Sequence, residues 1–395
     1  MTTAPTIESI SVLTFGANNI LFVGDSYSGK VFAFELEDEK PASESLTYNI
    51  YGLDQRIASF LGVSVDLVTV NDLAVHPLTH EAYIGVTRGH GKQAIPIILV
   101  VNQAGKIRNI EWDSLKYSHI ALNHQPDRIT FWHKVPAQSL TITDIEYADG
   151  EIYVAGLSNG NFASTLYRIP YPFKDDIKAS SVEIYHAVHN QNETRAPIRT
   201  LSVVDLNGKL HVLAAYTCTP LVTIPVDQLL DGAHVKGKTI GELGYGNTPI
   251  DMVRFSAPGS DGVEDYVLIS NKARSGMMLK LKDIMESNAG VGLSTPVQLP
   301  HQVTAGVAVS SVPLAGVMHI DNQDEQFFLT IRRDLDMGRL DLLSLRKGFY
   351  FRLSDFINEY DFPDYAYPDN AFQQNYVRNA HQILKTDEGY QDLIK

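Results

Sequence analysis

The chain has 395 residues, 44% of them apolar and 20% charged, which is enough hydrocarbon for a full core and excludes general disorder. Its 32 basic residues stand against 46 acidic ones, a net charge of −14. Duplex nucleic acid and anionic membrane surfaces are therefore poor partners, whereas a cation, a basic partner or a neutral small molecule fits.

The single cysteine, Cys218, excludes an intrachain disulfide and gives no compartment. No run of 18 apolar residues occurs, so no membrane span is predicted. Residues Met1 to Thr6 lack the charged and apolar regions of a secretory signal, which leaves a cytoplasmic protein or a mature exported one with an added start methionine.

Taken in order, the chain repeats one pattern: an alternating run, a tight turn, a nearly continuous apolar run closing on small polar residues, and a third apolar run. Unit 1 reads Ile7 to Phe15, Ile20 to Ser26 and Gly29 to Leu36, and unit 2 reads Asn71 to Pro77, Ala82 to Arg88 and Ile97 to Val101. Unit 3 reads Thr143 to Tyr147, Ile152 to Asn159 and Thr165 to Ile169. Unit 4, the clearest, runs from Ala196 to Asp227 through an Asn207-Gly208 turn. Unit 5 reads Ile250 to Phe255, Asp265 to Lys272 and Gly276 to Leu281; the weaker unit 6 reads Gly306 to Val312, Phe327 to Arg333 and Leu340 to Leu345.

The second strands begin near residues 20, 82, 152, 210, 265 and 327, so the steps are 62, 70, 58, 55 and 62 residues. Each step leaves room for a fourth strand, with candidates at Leu46 to Tyr51, Ile129 to His133, Val182 to Val188 and Pro296 to Leu299. The expected fold is an all-β propeller of six four-stranded antiparallel blades round a central channel, with space for a degenerate seventh in the long second or last gap. Asp54 to Gly62 reads as a short capped helix, and Asn375 to Lys385 as a terminal one. The propeller is expected over residues 1–347. An aromatic-rich extension over 348–395, carrying Phe349, Tyr350, Phe351, Phe356, Tyr360, Phe362, Tyr365 and Tyr367 with Pro363 and Pro368, is expected to pack on it.

The stretch Phe22 to Phe34 (Phe-Val-Gly-Asp-Ser-Tyr-Ser-Gly-Lys-Val-Phe-Ala-Phe) resembles the strand–loop–strand of six- and seven-bladed propellers of the NHL, gluconolactonase-like and YVTN types. As architecture the resemblance extends over residues 7 to 345. Gluconolactonase-like hydrolases hold calcium in the channel with a Glu and several Asn or Asp, so the resemblance implies Ca²⁺. Here Ser9 or Ser11 stands where that Glu would be.

In a propeller the first strands line the channel, and their entrances share a face with the loops after the second strands. The entrances supply Asp72, Asp144, Thr200 and Asp251. Asp72, Asp144 and Asp251 would repel unless a cation, an arginine or a shared proton compensates, and oxygen ligands of this kind suit Ca²⁺ or Mg²⁺. Alternatively each Asp caps its own loop through backbone amides. The loops supply Asp25, Arg88, His90, Asn159, Cys218, Asn271, Lys272, Arg274, Arg332 and Arg333, while Arg199 precedes Thr200.

Arg88, Asn159, Asn271, Arg274, Thr200 and Arg332 are candidate binders of a small polar or anionic ligand, with structural ion pairs as the other role for the arginines. Asp144, Asp251, Cys218 and Arg199 are the candidate catalytic groups. Cys218 is either a nucleophile or soft-metal ligand, or a buried small hydrophobe. His186 and His189, three apart on an expected strand, point to opposite faces and read as poor co-ligands, and no His-Glu-x-x-His, Gly-x-Ser-x-Gly or phosphate-cradling loop occurs. Two functions remain: a propeller that binds a small polar or anionic ligand, either as a binder alone or as a metal-assisted hydrolase, lyase or oxidoreductase, and a non-catalytic scaffold or accessory subunit that binds a protein partner.

Overall fold

The computed structural model describes residues 5–36, 41–42, 46–259, 262–298, 304–362, 364–366 and 370–390. Six sheets stand round a central channel, each built on four antiparallel strands with the first on the axis, which is the arrangement of a six-bladed β-propeller; the third also takes His234–Lys236 in parallel on its outer strand. The inner strands are Val12–Phe15, Val68–Val75, Asp144–Ala148, Ile198–Asp205, Pro249–Gly259 and Val317–Asn322, defining blades 1 to 6.

The blades are not in chain order round the ring. Leu13, Leu21 and Phe34 of blade 1 pack on Tyr83 and Val100 of blade 2, while Phe22, Val31 and Ala33 on its other side pack on Val154 and Tyr167 of blade 3. Blade 3 meets blade 4, blade 4 meets blade 5, and blade 5 meets blade 6. Blade 6 then packs Leu329, Ile331 and Leu342 on Leu73, Ile84 and Leu99 of blade 2. The circle therefore reads 2–1–3–4–5–6. Every blade buries apolar side chains on both faces, which is why the second strands are apolar almost throughout.

Two outer strands explain the exchange. After three strands of blade 1 the chain crosses to blade 6, where Asn49–Ile50 pairs with Leu343 and Leu342. It then builds blade 2 and returns as Lys116–Ala121, the outer strand of blade 1, pairing from Glu35↔Lys116 to Lys30↔Ala121. Tyr48 pins the crossing. It is fully buried, its hydroxyl meets the Ala82 amide at 3.1 Å and the His80 and Val101 carbonyls at 2.9 Å, and its own amide donates to Ser344 Oγ at 2.7 Å. Tyr48→Phe leaves these buried groups of blade 2 without their partner and is expected to cost about 1–3 kcal/mol in urea unfolding. A loss within error of zero would show that the crossing is held by packing alone.

Several expected strands fall elsewhere. Leu46 to Tyr51 contributes its short strand to blade 6 rather than blade 1, and Ile129 to His133 forms only a bridge of Thr130 with Pro136 and the start of a 3₁₀ turn. Val182 to Val188 overlaps Lys178–His186, the fourth strand of blade 3. The fourth strand of blade 5 is Ser310–Val312, not Pro296 to Leu299; Leu299 lies outside the described residues. Gly306 to Val312, expected as the inner strand of blade 6, instead edges blade 4 at Ala305–Gly306 and blade 5 at Ser310–Val312. Its apolar alternation suits an edge strand as well as an inner one.

Helix α1 (Leu53–Leu61) starts and ends on left-handed glycines, Gly52 at φ 66° and Gly62 at φ 65°, so Asp54 sits in its first turn rather than at its cap. Helix α2 (Leu281–Ala289) follows blade 5, and α3 (Asn370–Thr386) lies in the C-terminal extension. Residues after α3 dock on blade 6. Asp387 accepts from Arg346 Nε at 2.5 Å and Nη2 at 2.8 Å, and Glu388 accepts the amides of Leu353 and Ser354. Of the expected tail, Pro363, Tyr367, Pro368 and residues 391–395 lie outside the described residues. No helix among the described residues is long and apolar enough to cross a membrane.

Candidate functional site in the central channel

Four inner strands slip register near the channel entrance: between Val70 and Asp72, Ile198 and Thr200, Pro249 and Met252, and Val317 and His319. A bulge re-aims the side chain beside it. The result is a polar cavity of about 270 Å³ lined by Asp72, Asp144, Thr200 and Asp251, and further along by Glu146, Ser202, Arg254 and Asp321.

Each acid has a partner on the next blade. Asp72 Oδ2 accepts the Leu13 amide at 2.6 Å, Asp144 Oδ2 that of Leu201 at 2.7 Å, and Asp251 Oδ2 that of Ile320 at 2.8 Å. Glu146 does the same for Val203 at 2.9 Å and Asp321 for Val75 at 2.8 Å. The carboxylates thus cap neighbouring strands as well as their own, stitching the seams at the axis. Asp144 and Asp321 also accept their own following amides at 2.8 and 2.7 Å, so both oxygens are engaged. Asp72 Oδ1 is turned instead toward His319.

His319 is the centre of this arrangement. Its Nδ1 lies 3.4 Å from Asp72 Oδ1 and 3.3 Å from Asp251 Oδ2, yet makes no hydrogen bond of acceptable geometry. Burial pulls the imidazolium down, but Asp251 and Asp72 outweigh it and push the group up to about 10. Burial raises Asp72, and it holds Asp144 well above the ordinary carboxylate value against the opposing Leu201 amide. Asp321 is pushed up to about 7, again chiefly by burial. Glu146, raised by burial, is countered by Arg254, whose Nη2 reaches its Oε1 at 3.1 Å across the channel.

The remaining candidates are dispersed. Arg199 is the bulged residue before Thr200; burial lowers its guanidinium while Asp144 opposes the shift, and its Nε has no hydrogen-bond partner. Arg88, Asn159, Asn271, Arg274 and Arg332 do not line the channel cavity. Asn271 is buried, accepting from Asn247 and donating to the Ile269 and Ser275 carbonyls. Arg274 donates to the Tyr245 carbonyl, and Arg332 pairs with Asp355 of the extension at 2.5 Å. Asn159 lies in an exposed loop and Arg88 ends the second strand of blade 2.

Cys218 stands away from the channel in a left-handed turn, at φ 77°. Beside it are His186 and His189, their ring centroids 3.8 Å apart. The expectation that these two histidines diverge is wrong, because the strand ends at His186 and the chain turns back on itself.

Sequence reasoning missed His319 and Asp321, since it placed the inner strand of blade 6 eleven residues too early. Glu146 was findable, two positions after Asp144 on the same strand face.

No family model matches the sequence, and no curated protein matches it. Among solved structures, the chain is similar to the PQQ-bound aldose sugar dehydrogenase of Streptomyces coelicolor, with 9% identity, 88% of this chain and 96% of that one covered, and a TM-score of 0.36. The hydrazine synthase of Kuenenia stuttgartiensis follows at 10% identity, 88% and 98% coverage and a TM-score of 0.35, and Drosophila semaphorin 2a at 7%, 87% and 75%, and 0.31. Likenesses at these identities and scores carry no functional information.

Proposed function

We propose that the channel mouth binds a divalent cation on Asp72, Asp251 and His319 and uses it in the hydrolysis of a small polar substrate. The observation that supports this reading is the His319 nitrogen, held 3.4 and 3.3 Å from two carboxylates on different blades with no hydrogen bond to either. Metal bonds of about 2.1 Å set neighbouring ligands about 3.0–3.4 Å apart, which matches this spacing. Of the acids expected to bind metal, Asp144 fits least, because amides occupy both its oxygens.

The cation would take the place of the proton that His319 carries between the two carboxylates, and would supply Lewis acidity to the substrate. Asp144, whose carboxyl burial raises well above its ordinary value, is the group in this cavity suited to act as general acid toward the leaving group. Thr200 and Arg254 offer a hydroxyl and a guanidinium to the same cavity. The mixed carboxylate–imidazole set shifts the expected ion from Ca²⁺ toward a first-row transition metal, of which Mn²⁺ is the one that best tolerates carboxylate oxygens.

Calorimetric titration with Mn²⁺ and with Ca²⁺ tests the reading. One saturable Mn²⁺ site is expected, tighter than that for Ca²⁺ and lost in Asp72→Asn/Asp251→Asn. A wild-type chain without saturable binding, or a double variant that binds as before, would overturn it.

A further inference from the structure

We propose a second metal site, for a zinc-type ion, on Cys218, His186 and His189 at the outer seam of blades 3 and 4. Donor atoms of the three residues all lie within 4.8 Å of one another, and His189 Nε2 is 3.8 Å from Cys218 Sγ. An ion with bonds of about 2.3 Å to sulfur and about 2.1 Å to nitrogen holds such a pair about 3.6 Å apart.

The surroundings are built for ligation. Glu193 Oε1 meets Nδ1 of His186 and Nδ1 of His189, each at 2.9 Å. An ionised carboxylate only accepts, so both Nδ1 atoms carry a proton, and it is the Nε2 atoms that offer lone pairs once the rings are neutral, as metal binding requires. That is the carboxylate–histidine arrangement that orients metal-binding imidazoles. Gln191 Nε2 donates to the same oxygen at 2.9 Å and fixes the carboxylate in turn.

A second observation is independent of the cysteine. His186 is 1% exposed, and its Nε2 has no hydrogen-bond partner. Facing it at 3.8 Å is Glu242 Oε2, fully buried and also unpartnered, while Glu242 Oε1 accepts the Ala187 amide at 2.8 Å. Two buried polar atoms without hydrogen-bond partners are costly unless something joins them. A cation on His186, His189 and Cys218 gives the imidazole its partner, with Glu242 Oε2 facing the same nitrogen at 3.8 Å from outside the three-residue cluster. His189 and Cys218 remain partly exposed, which provides the way in.

The residues come from separate parts of the chain. His186 ends the fourth strand of blade 3 and His189 follows in its turn; Cys218 lies between the second and third strands of blade 4; Glu242 ends the fourth strand of blade 4. A bound ion therefore ties blade 3 to blade 4, so the role is structural.

Co²⁺ titration of the full-length chain, followed by absorption, tests the proposal. A near-ultraviolet thiolate-to-metal band that saturates at one equivalent of Co²⁺ per Cys218, with visible tetrahedral bands, is expected, apart from any Co²⁺ taken up by the channel. Cys218→Ser should lose the thiolate band, His189→Ala should weaken binding at this site at least tenfold, and Zn²⁺ should raise the melting temperature of the wild-type chain by more than that of either variant, in which only the channel site is intact. Asp72→Asn/Asp251→Asn, which touches only the channel, should keep the thiolate band, so failure here is separable from failure there. Circular dichroism identifies a misfolded variant, and the wild-type spectrum alone then decides. Absence of a thiolate band in the wild-type chain, or an unchanged band in folded His189→Ala, overturns the site.

Discussion

Replacing His319 by alanine is expected to destabilise the cation-free chain by about 3–5 kcal/mol and to abolish Mn²⁺ binding. The reason is electrostatic. His319 stands between Asp72 and Asp251, and without it two largely buried carboxylates confront each other with no positive group at 3.4 and 3.3 Å. Their amide bonds to Leu13 and Ile320 remain but do not neutralise them. Adding Asp251→Asn to His319→Ala should recover much of the lost stability, since one of the opposed charges is then gone. Urea unfolding in the presence of a chelator measures both effects. If His319→Ala is as stable as wild type, the carboxylates do not face each other and the channel site fails with them.

The second large effect is expected at Glu388. Arg352 is 1% exposed and lies 3.9 Å from Glu388 Oε2, with Nη2 donating to Asn49 Oδ1 at 2.8 Å. Glu388 is itself buried and holds the Leu353 and Ser354 amides. Glu388→Ala strands a buried guanidinium and two amides at once, a loss of about 3–5 kcal/mol. Because these contacts hold the extension to Asn49 and blade 6, the loss should appear first as local release. Trypsin should then cut near Arg346 or Arg352 while the blades stay protected. Cleavage no faster than in wild type would show that the extension is held by other contacts.

The repeat was legible because each second strand is buried on both faces and so is written as an apolar run with small residues at its end. Blade number follows from counting those runs. Ring order does not, since nothing in Leu46 to Tyr51 states whether its strand will add to Leu340–Arg346 or to Lys30–Glu35. Both edges offer the same backbone groups.

Asp72 and Asp251 were legible at the channel because a carboxylate beside an apolar strand start is conspicuous. His319 was not, because Gly306 to Val312 mimics an inner strand and drew the register away from it. The loop arginines misled for a related reason: sequence places them on a face but does not say that Arg332 is already taken by Asp355, or Arg274 by a carbonyl.

The exchanged positions of blades 1 and 2 set the order in which the molecule can be completed. Blade 2 fills the gap between the first blade made and the last, and Asn49–Ile50 must wait for Leu340–Arg346 before it has an edge to join. A chain still emerging from the ribosome therefore carries one finished flank of blade 2 and one bare flank until nearly the whole protein is out. Such late, long-range pairing slows folding. Any fragment that stops short of residue 340 exposes Ile84 and Leu99 to water, and cells making it should meet an aggregating product rather than a smaller propeller.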